Sequence, residues 1–196
     1  MKSSDITKKI VSGKFKNKIL KLPSKTTTRS SKAIVLESFF NTIQFEIIDA
    51  TFVELFSGSG SIGLEALSRG AKKVIFMEKD HEALKVLKEN ITQTDPALCE
   101  VYKGDTFTNI AAVVKALQKR GEKAYFYIDP PFNIREGMED IYDKTISLIA
   151  SLPKECVKLI IIEHVSGLEI PATIGSYNIK KSKKFGNTTL TYLECE

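Results

Sequence analysis

An acid, two prolines and a phenyl ring, Asp129-Pro130-Pro131-Phe132, end the β-prone run Tyr125-Phe126-Tyr127-Ile128. The prolines fix φ and bias the residue before them toward extended backbone, so they direct Asp129 and the Pro130 carbonyl at a common point and prevent a helix from starting there. Two acceptors directed at one point suit an exocyclic amine with two hydrogens. Accepting both hydrogen bonds orients the nitrogen lone pair toward a methyl group, stabilises positive charge as it develops, and leaves Phe132 free to stack on the base. A rigid structural turn is the plain alternative.

A second constellation lies upstream. Gly58, Gly60 and Gly63 in FSGSGSIG form a GxGxxG after the run TFVELF, where absent side chains let a ligand approach the backbone and a helix N-terminus. Glu78 follows about 20 residues later, the spacing at which an acid bonds ribose hydroxyls. Together they point to an adenosine-type cofactor. Glu54 lies four residues before Gly58, where it would repel a pyrophosphate. S-adenosylmethionine has no phosphate and carries cationic sulfonium and ammonium groups, so a carboxylate suits it. Asp105, in YKGDTF, is placed to accept from an adenine amine or to cap a helix. Phe56, Lys79 and Thr106 complete the candidate cofactor set. A nicotinamide-dependent oxidoreductase would use the same glycines and acid, but it leaves the acid-Pro-Pro-Phe segment without a task.

The elements that must position these residues alternate. Strands are predicted at TFVELF, KVIFME, LCEVYK, AYFYID and KLIIIE, with helices near 60–69, 80–92, 107–120 and 136–151. Such alternation implies crossover connections and a mostly parallel sheet, with ligands at the carboxyl ends of the strands. The segments SYNIKKSKKF and NTTLTYLE predict a closing antiparallel hairpin around Phe185-Gly186-Asn187. The expected class is α/β, with helices on both faces of a twisted Rossmann-like sheet. Residues 1–45 are expected to form a basic extension and 46–196 the catalytic domain. In the extension, apolar and polar residues alternate around Ile10, Val11, Phe15, Ile19, Leu20 and Leu22, with Gly13 and Asn17 as turn residues. A hairpin is predicted there, followed by a helix capped at Ser30 or Ser31 that places Leu36, Phe39, Phe40 and Ile43 on one face.

Charge separates the two parts. Residues 1–32 carry ten Lys or Arg against Asp5 alone, a net +9, which leaves −4 for the rest of a chain whose total is +5. Basic residues grouped at one end are the footprint of a polyanion-binding arm. A solvated tail and a noncatalytic RNA-binding assembly factor are the competing explanations. The cofactor motifs all follow Thr51, so the arm is expected to be separable from cofactor binding. Cys99, Cys156 and Cys195 lack CxxC spacing, so free thiols and no metal are expected. No apolar run reaches the length of a membrane helix, and the opening MKSSDITKKIVSGK has no signal-peptide apolar stretch; a cytoplasmic protein is expected.

Glu54-Leu-Phe-Ser-Gly-Ser-Gly60, Glu78 and Asp129-Pro-Pro-Phe132 resemble class I S-adenosylmethionine-dependent methyltransferases that modify amino nitrogens in nucleic acids. More narrowly the chain resembles the RsmD family, which acts on guanine N2 of small-subunit (16S) ribosomal RNA. Ile10-Val-Ser-Gly-Lys-Phe-Lys-Asn-Lys18 resembles that family's opening hairpin, Gly63-Leu-Glu-Ala-Leu-Ser-Arg69 its first helix and Lys184-Phe-Gly-Asn-Thr-Thr-Leu190 its closing strands. The resemblance implies cofactor contacts at Gly58, Gly60, Glu78 and Asp105, catalysis by residues 129–132 and RNA contacts from Lys14, Lys16, Lys18 and Arg29. It further implies ribosomal RNA, the small subunit or its assembly intermediate as partner; the oligomeric state is left open by the sequence, with a monomer favoured. The family's Asp-Arg-x-Arg-Glu helix start is replaced here by Ala33-Ile-Val-Leu-Glu37. Adenine N6 or cytosine N4 of DNA is the neighbouring substrate class, because the tetrapeptide serves those amines equally well.

Overall fold

The computed structural model describes residues 7–23, 30–131 and 140–195. The chain divides into two compact units, Met1–Thr106 and Phe107–Glu196.

In the first unit, β1 (Thr7–Lys9) and β2 (Ile19–Lys21) form the basic hairpin, followed by α1 (Ser30–Thr42). Then come β3 (Thr51–Leu55), α2 (Ser61–Ser68), β4 (Lys73–Glu78), α3 (His81–Ile91) and β5 (Cys99–Lys103), and α4 (Thr106–Arg120) begins at the unit's end. β3 pairs parallel with β4, and β4 with β5. Every residue of β3, and all but the first of β4, is buried, as expected of parallel strands covered on both faces. α3 starts where Asp80 caps it, accepting the Ala83 N–H at 2.8 Å. α1 buries Leu36, Phe39, Phe40 and Ile43, the face that their spacing predicts, and the Arg69 guanidinium lies 4.7 Å over the Phe40 ring.

The hairpin differs from its sequence pattern. Its strands are three residues each, paired Thr7↔Lys21 to Lys9↔Ile19, and the segment from Ile10 to Phe15 lies in the connection between them. Ile10 still bonds across the hairpin, donating to the Lys18 carbonyl at 3.0 Å, but from Val11 to Phe15 the backbone bonds to α2. Val11 and Ser12 donate their N–H groups to Glu65 Oε2 (2.7 Å) and Oε1 (3.1 Å). Lys14 donates to the Ser68 carbonyl (2.7 Å) and Phe15 to Ser68 Oγ (2.9 Å). The approach is so close that a Cβ on Gly13 would lie 1.7 Å from the Ser68 carbonyl oxygen, so glycine is required there. Asn17 turns the chain back at φ 70°.

The second unit contains β6 (Ala124–Ile128), α5 (Ile141–Ser151), β7 (Val157–Val165), β8 (Thr173–Ile174), β9 (Tyr177–Phe185) and β10 (Thr188–Cys195). β6 runs parallel to β7, while β10 is antiparallel to both β7 and β9, and β8 to β9. The predicted terminal hairpin is β9–β10, turned by Gly186 at φ 62° and Asn187. The two-residue β8 lies outside the predicted strands. The lysine cluster at 180–184 falls on β9, where Lys180 pairs with Glu194 (2.5 Å) and the Lys181 ammonium sits 4.6 Å over the Tyr192 ring. Lys180 and Lys181 are therefore engaged by the adjacent strand.

The three cysteines are free thiols. Burial, with Asp95 adding to it, pushes the Cys99 thiol up to about 12, which keeps it protonated and unreactive. Among the described residues no helix is long and apolar enough to cross a membrane.

Candidate active site

The connection from β3 to α2 is conformationally unusual. Phe56 has φ 55°, Gly58 φ 54° and Gly60 φ 74°. A left-handed aromatic residue is costly, and such strain concentrates where a backbone is shaped for a ligand. The Glu78 carboxylate, at the end of β4, holds this loop. Its Oε2 accepts the Gly58 N–H at 2.7 Å, and its Oε1 accepts the N–H groups of Lys79 (2.8 Å) and Asp80 (2.7 Å). Two carboxylate oxygens offer about four acceptor positions, so these three bonds fix the group and leave capacity for a hydroxyl.

The three glycines do different jobs. A Cβ on Gly58 would meet nothing within 4 Å, so its glycine leaves open space in front of the loop. A Cβ on Gly60 would lie 2.3 Å from Leu87 Cδ1, and one on Gly63 would lie 2.5 Å from Phe76 Cε1 and 2.7 Å from Val74 Cγ1. Those two glycines permit the helices to pack on the strands. Ser57 adds a further sign: its Oγ is buried and has no hydrogen-bond partner among the described residues. An orphaned buried hydroxyl is costly unless something else bonds it. The open cradle at Gly58, the orphaned Ser57 hydroxyl and the spare capacity of Glu78 fit a nucleoside with sugar hydroxyls.

Glu54 is buried, and its Oε2 accepts the Gly63 N–H at 2.8 Å. It therefore serves the first turn of α2, a role the motif spacing did not reveal. Lys79 is exposed and Asp105 half-buried, with Lys79 Nζ 4.0 Å from Asp105 Oδ2, and the Gly104 N–H donates to the Glu78 carbonyl at 2.9 Å. Thr106 is buried at the start of α4. Gly58, Glu78, Lys79 and Asp105 are thus linked by these contacts, and Glu54 bonds the Gly63 N–H at the start of α2.

In the second unit, β6 is wholly buried and ends at Ile128. Asp129 follows half-buried, Pro130 buried and Pro131 half-buried. The register Ile128↔Ile162 carries Asp129 alongside Glu163. Glu163 is a buried acid whose Oε2 accepts from the Tyr127 hydroxyl at 2.7 Å. Burial pushes the Tyr142 phenol up, and the charges of Asp129 and Glu163 add to the rise; its hydroxyl has no hydrogen-bond partner among the described residues. His164 is held by Val165 O (3.0 Å from Nδ1) and Thr191 Oγ1 (2.9 Å from Nε2). Burial lowers its pKa, against the backbone bond at Val165. Glu163 was missed by sequence reasoning. The signal was present, because KLIIIE ends in an acid as AYFYID does.

Lys14, Lys16 and Lys18 are exposed on the hairpin connection, apart from the loop residues above. Arg29 and Phe132 lie outside the described residues. Among the described residues, no three His, Cys, Asp or Glu side chains gather as a metal group.

Residues 8–194 match the family described as Conserved hypothetical protein 95. Ribosomal RNA small subunit methyltransferase D of Escherichia coli strain K12 is 27% identical over 181 residues, which cover 91% of this chain and 85% of that protein. YlbH of Bacillus subtilis strain 168 is 29% identical over 186 residues, 92% of this chain and 95% of its own. The solved structure of yhhF from Escherichia coli matches with a TM-score of 0.77 at 24% identity, covering 97% of this chain and 99% of that one. The fold is the Rossmann-like α/β fold that the alternation of strands and helices predicts, closed by an antiparallel hairpin.

Proposed function

The chain belongs to this family, the RsmD family, and from that membership we propose that it is a small-subunit ribosomal RNA methyltransferase that modifies the exocyclic N2 amine of a guanine. The observation that carries the reading is a match spanning nearly the whole chain, from the hairpin to the closing strands. It includes the glycine loop and the buried strand that ends on Asp129-Pro130-Pro131.

The methyl donor is S-adenosylmethionine, which when bound supplies an electrophilic methyl carbon on a cationic sulfur. Gly58 leaves room for it, the Ser57 hydroxyl gains a partner, and Glu78 accepts from the ribose. Asp105 and Thr106 line the adenine side, and Phe56, Gly60 and Lys79 shape the rest of the loop. Asp129 Oδ and the Pro130 carbonyl each accept one hydrogen of the guanine amine. The nitrogen lone pair is thereby oriented, and positive charge developing on nitrogen is stabilised. Phe132, next in sequence, stacks on the base. Lys14, Lys16, Lys18 and Arg29 neutralise phosphates of the RNA, so residues 1–45 act as the RNA-binding extension of a catalytic domain at 46–196.

Tritiated S-adenosylmethionine, incubated with small subunits from a strain lacking the protein, is expected to label N2-methylguanosine. Label in N6-methyladenosine of an adenine-rich duplex DNA would overturn the substrate. Glu78→Ala is expected to weaken S-adenosylmethionine binding about 10- to 100-fold, the range for losing a charged hydrogen-bond acceptor. Unchanged calorimetric affinity would remove Glu78 from the site.

A further inference from the structure

Asn90, in the last turn of α3, is 1% exposed and joins two segments far apart in sequence. Its Oδ1 accepts the Lys21 N–H at 2.8 Å, and its Nδ2 donates to the Lys21 carbonyl (2.9 Å) and to the Ser59 carbonyl (2.9 Å). Both amide hydrogens are used. The carboxamide thus bonds β2 as a neighbouring strand residue would, and with its remaining donor it holds the glycine loop between Gly58 and Gly60. Hydrogen bonds that fix the loop from outside also come from Glu78, on the other side of Gly58.

We propose that Asn90 is a positioning residue for the cofactor loop and that the hairpin, by fixing Asn90, is part of that loop's support. The proposal rests on the reading of residues 56–60 as the S-adenosylmethionine loop. A loop that carries Phe56, Gly58 and Gly60 at positive φ keeps that shape only when its surroundings over-determine it. The Ser59 carbonyl is held by an amide whose orientation is set by two bonds to Lys21. Loss of those bonds frees the amide to rotate and leaves the loop carbonyl without a fixed donor. The arm is therefore not separable from cofactor binding, contrary to what the order of motifs along the sequence suggests.

The test is calorimetric titration of S-adenosylmethionine into the full chain and four variants, with melting curves on each. Asn90→Ala is expected to bind about five- to tenfold more weakly, the scale for one or two lost hydrogen bonds. Its KM for S-adenosylmethionine should rise while kcat changes little. Lys21→Pro, which removes the donor to Asn90 without altering Asn90 or the loop, should weaken binding in the same direction. Ser68→Ala loosens the hairpin where Phe15 and Ser12 bond the Ser68 hydroxyl, away from Asn90, and should leave affinity within about twofold of wild type, because no bond to the loop is lost. If Asn90→Ala does not fold, Asn90→Asp keeps an acceptor for Lys21, loses the donor to Ser59, and gives the same readout. Wild-type affinity in a folded Asn90 variant, or an equal loss in Ser68→Ala, would overturn the proposal. Absence of binding by the unaltered chain would instead overturn the cofactor reading beneath it.

Discussion

Replacing Asp129 by alanine is expected to slow single-turnover methyl transfer about 100-fold or more, the usual scale for losing one preorganised polar group that meets charge developing in the transition state. The side chain is half-buried just past the end of β6, so the variant should still fold, which melting curves check. Its affinity for S-adenosylmethionine should stay within about twofold, because the carboxylate is assigned to the substrate amine and to no group of the cofactor. Asp129→Asn keeps one acceptor oxygen and should lie between the two. Transfer by Asp129→Ala at the wild-type rate, measured with enzyme in excess over substrate, would remove the carboxylate from the reaction. In that outcome the two prolines are a structural turn and nothing more.

Affinity for RNA is expected to fall steeply with salt. If Lys14, Lys16, Lys18 and Arg29 neutralise four phosphates, the log-log slope should be about −3 to −4, and affinity should drop roughly 60- to 250-fold between 50 and 200 mM salt. The triple variant Lys14→Gln, Lys16→Gln, Lys18→Gln should flatten the slope to about −1. The three side chains are exposed, and exposed substitutions of this kind usually change stability by less than about 0.5 kcal/mol each. The Lys21 backbone that bonds Asn90 is untouched, so cofactor affinity should be preserved in this variant. Titration of a small-subunit RNA fragment at several salt concentrations gives the slope. A slope unchanged by the triple substitution would make the charged arm a solvated surface.

The parallel strands of the first unit were legible because each is a short apolar run bounded by turn residues, and the burial of β3 and β4 is what such runs require. α1 was legible through the spacing of Leu36, Phe39, Phe40 and Ile43. The hairpin connection was not, because Val11, Ser12, Lys14 and Phe15 are captured by Glu65 and Ser68, more than fifty positions away. No local period records a partner at that distance. The same limit hid Asn90, which reads as an ordinary polar residue on α3 until β2 and Ser59 are placed beside it. Within the GxGxxG, sequence could not separate the glycine that leaves open space from the two that admit Leu87, Phe76 and Val74. Strand ends were readable as sites, but only the register Ile128↔Ile162 sets Glu163 beside Asp129.

The attachment of the hairpin through Glu65, Ser68 and Asn90 has a kinetic side. A chain is made from its N-terminus at about 5–20 residues per second, and the 69 positions that separate Lys21 from Asn90 then correspond to roughly 3 to 14 s of synthesis. Until Glu65 and Ser68 are made, the most basic segment of the nascent chain has none of its α2 partners, and throughout the interval it lacks Asn90. Contacts of such sequence separation also close late in refolding, since the loop entropy must be overcome before the bonds form. The glycine loop therefore gains its Ser59 restraint only once α3 is complete, and the hairpin, first to be made, docks fully only after α2 and α3 have followed it.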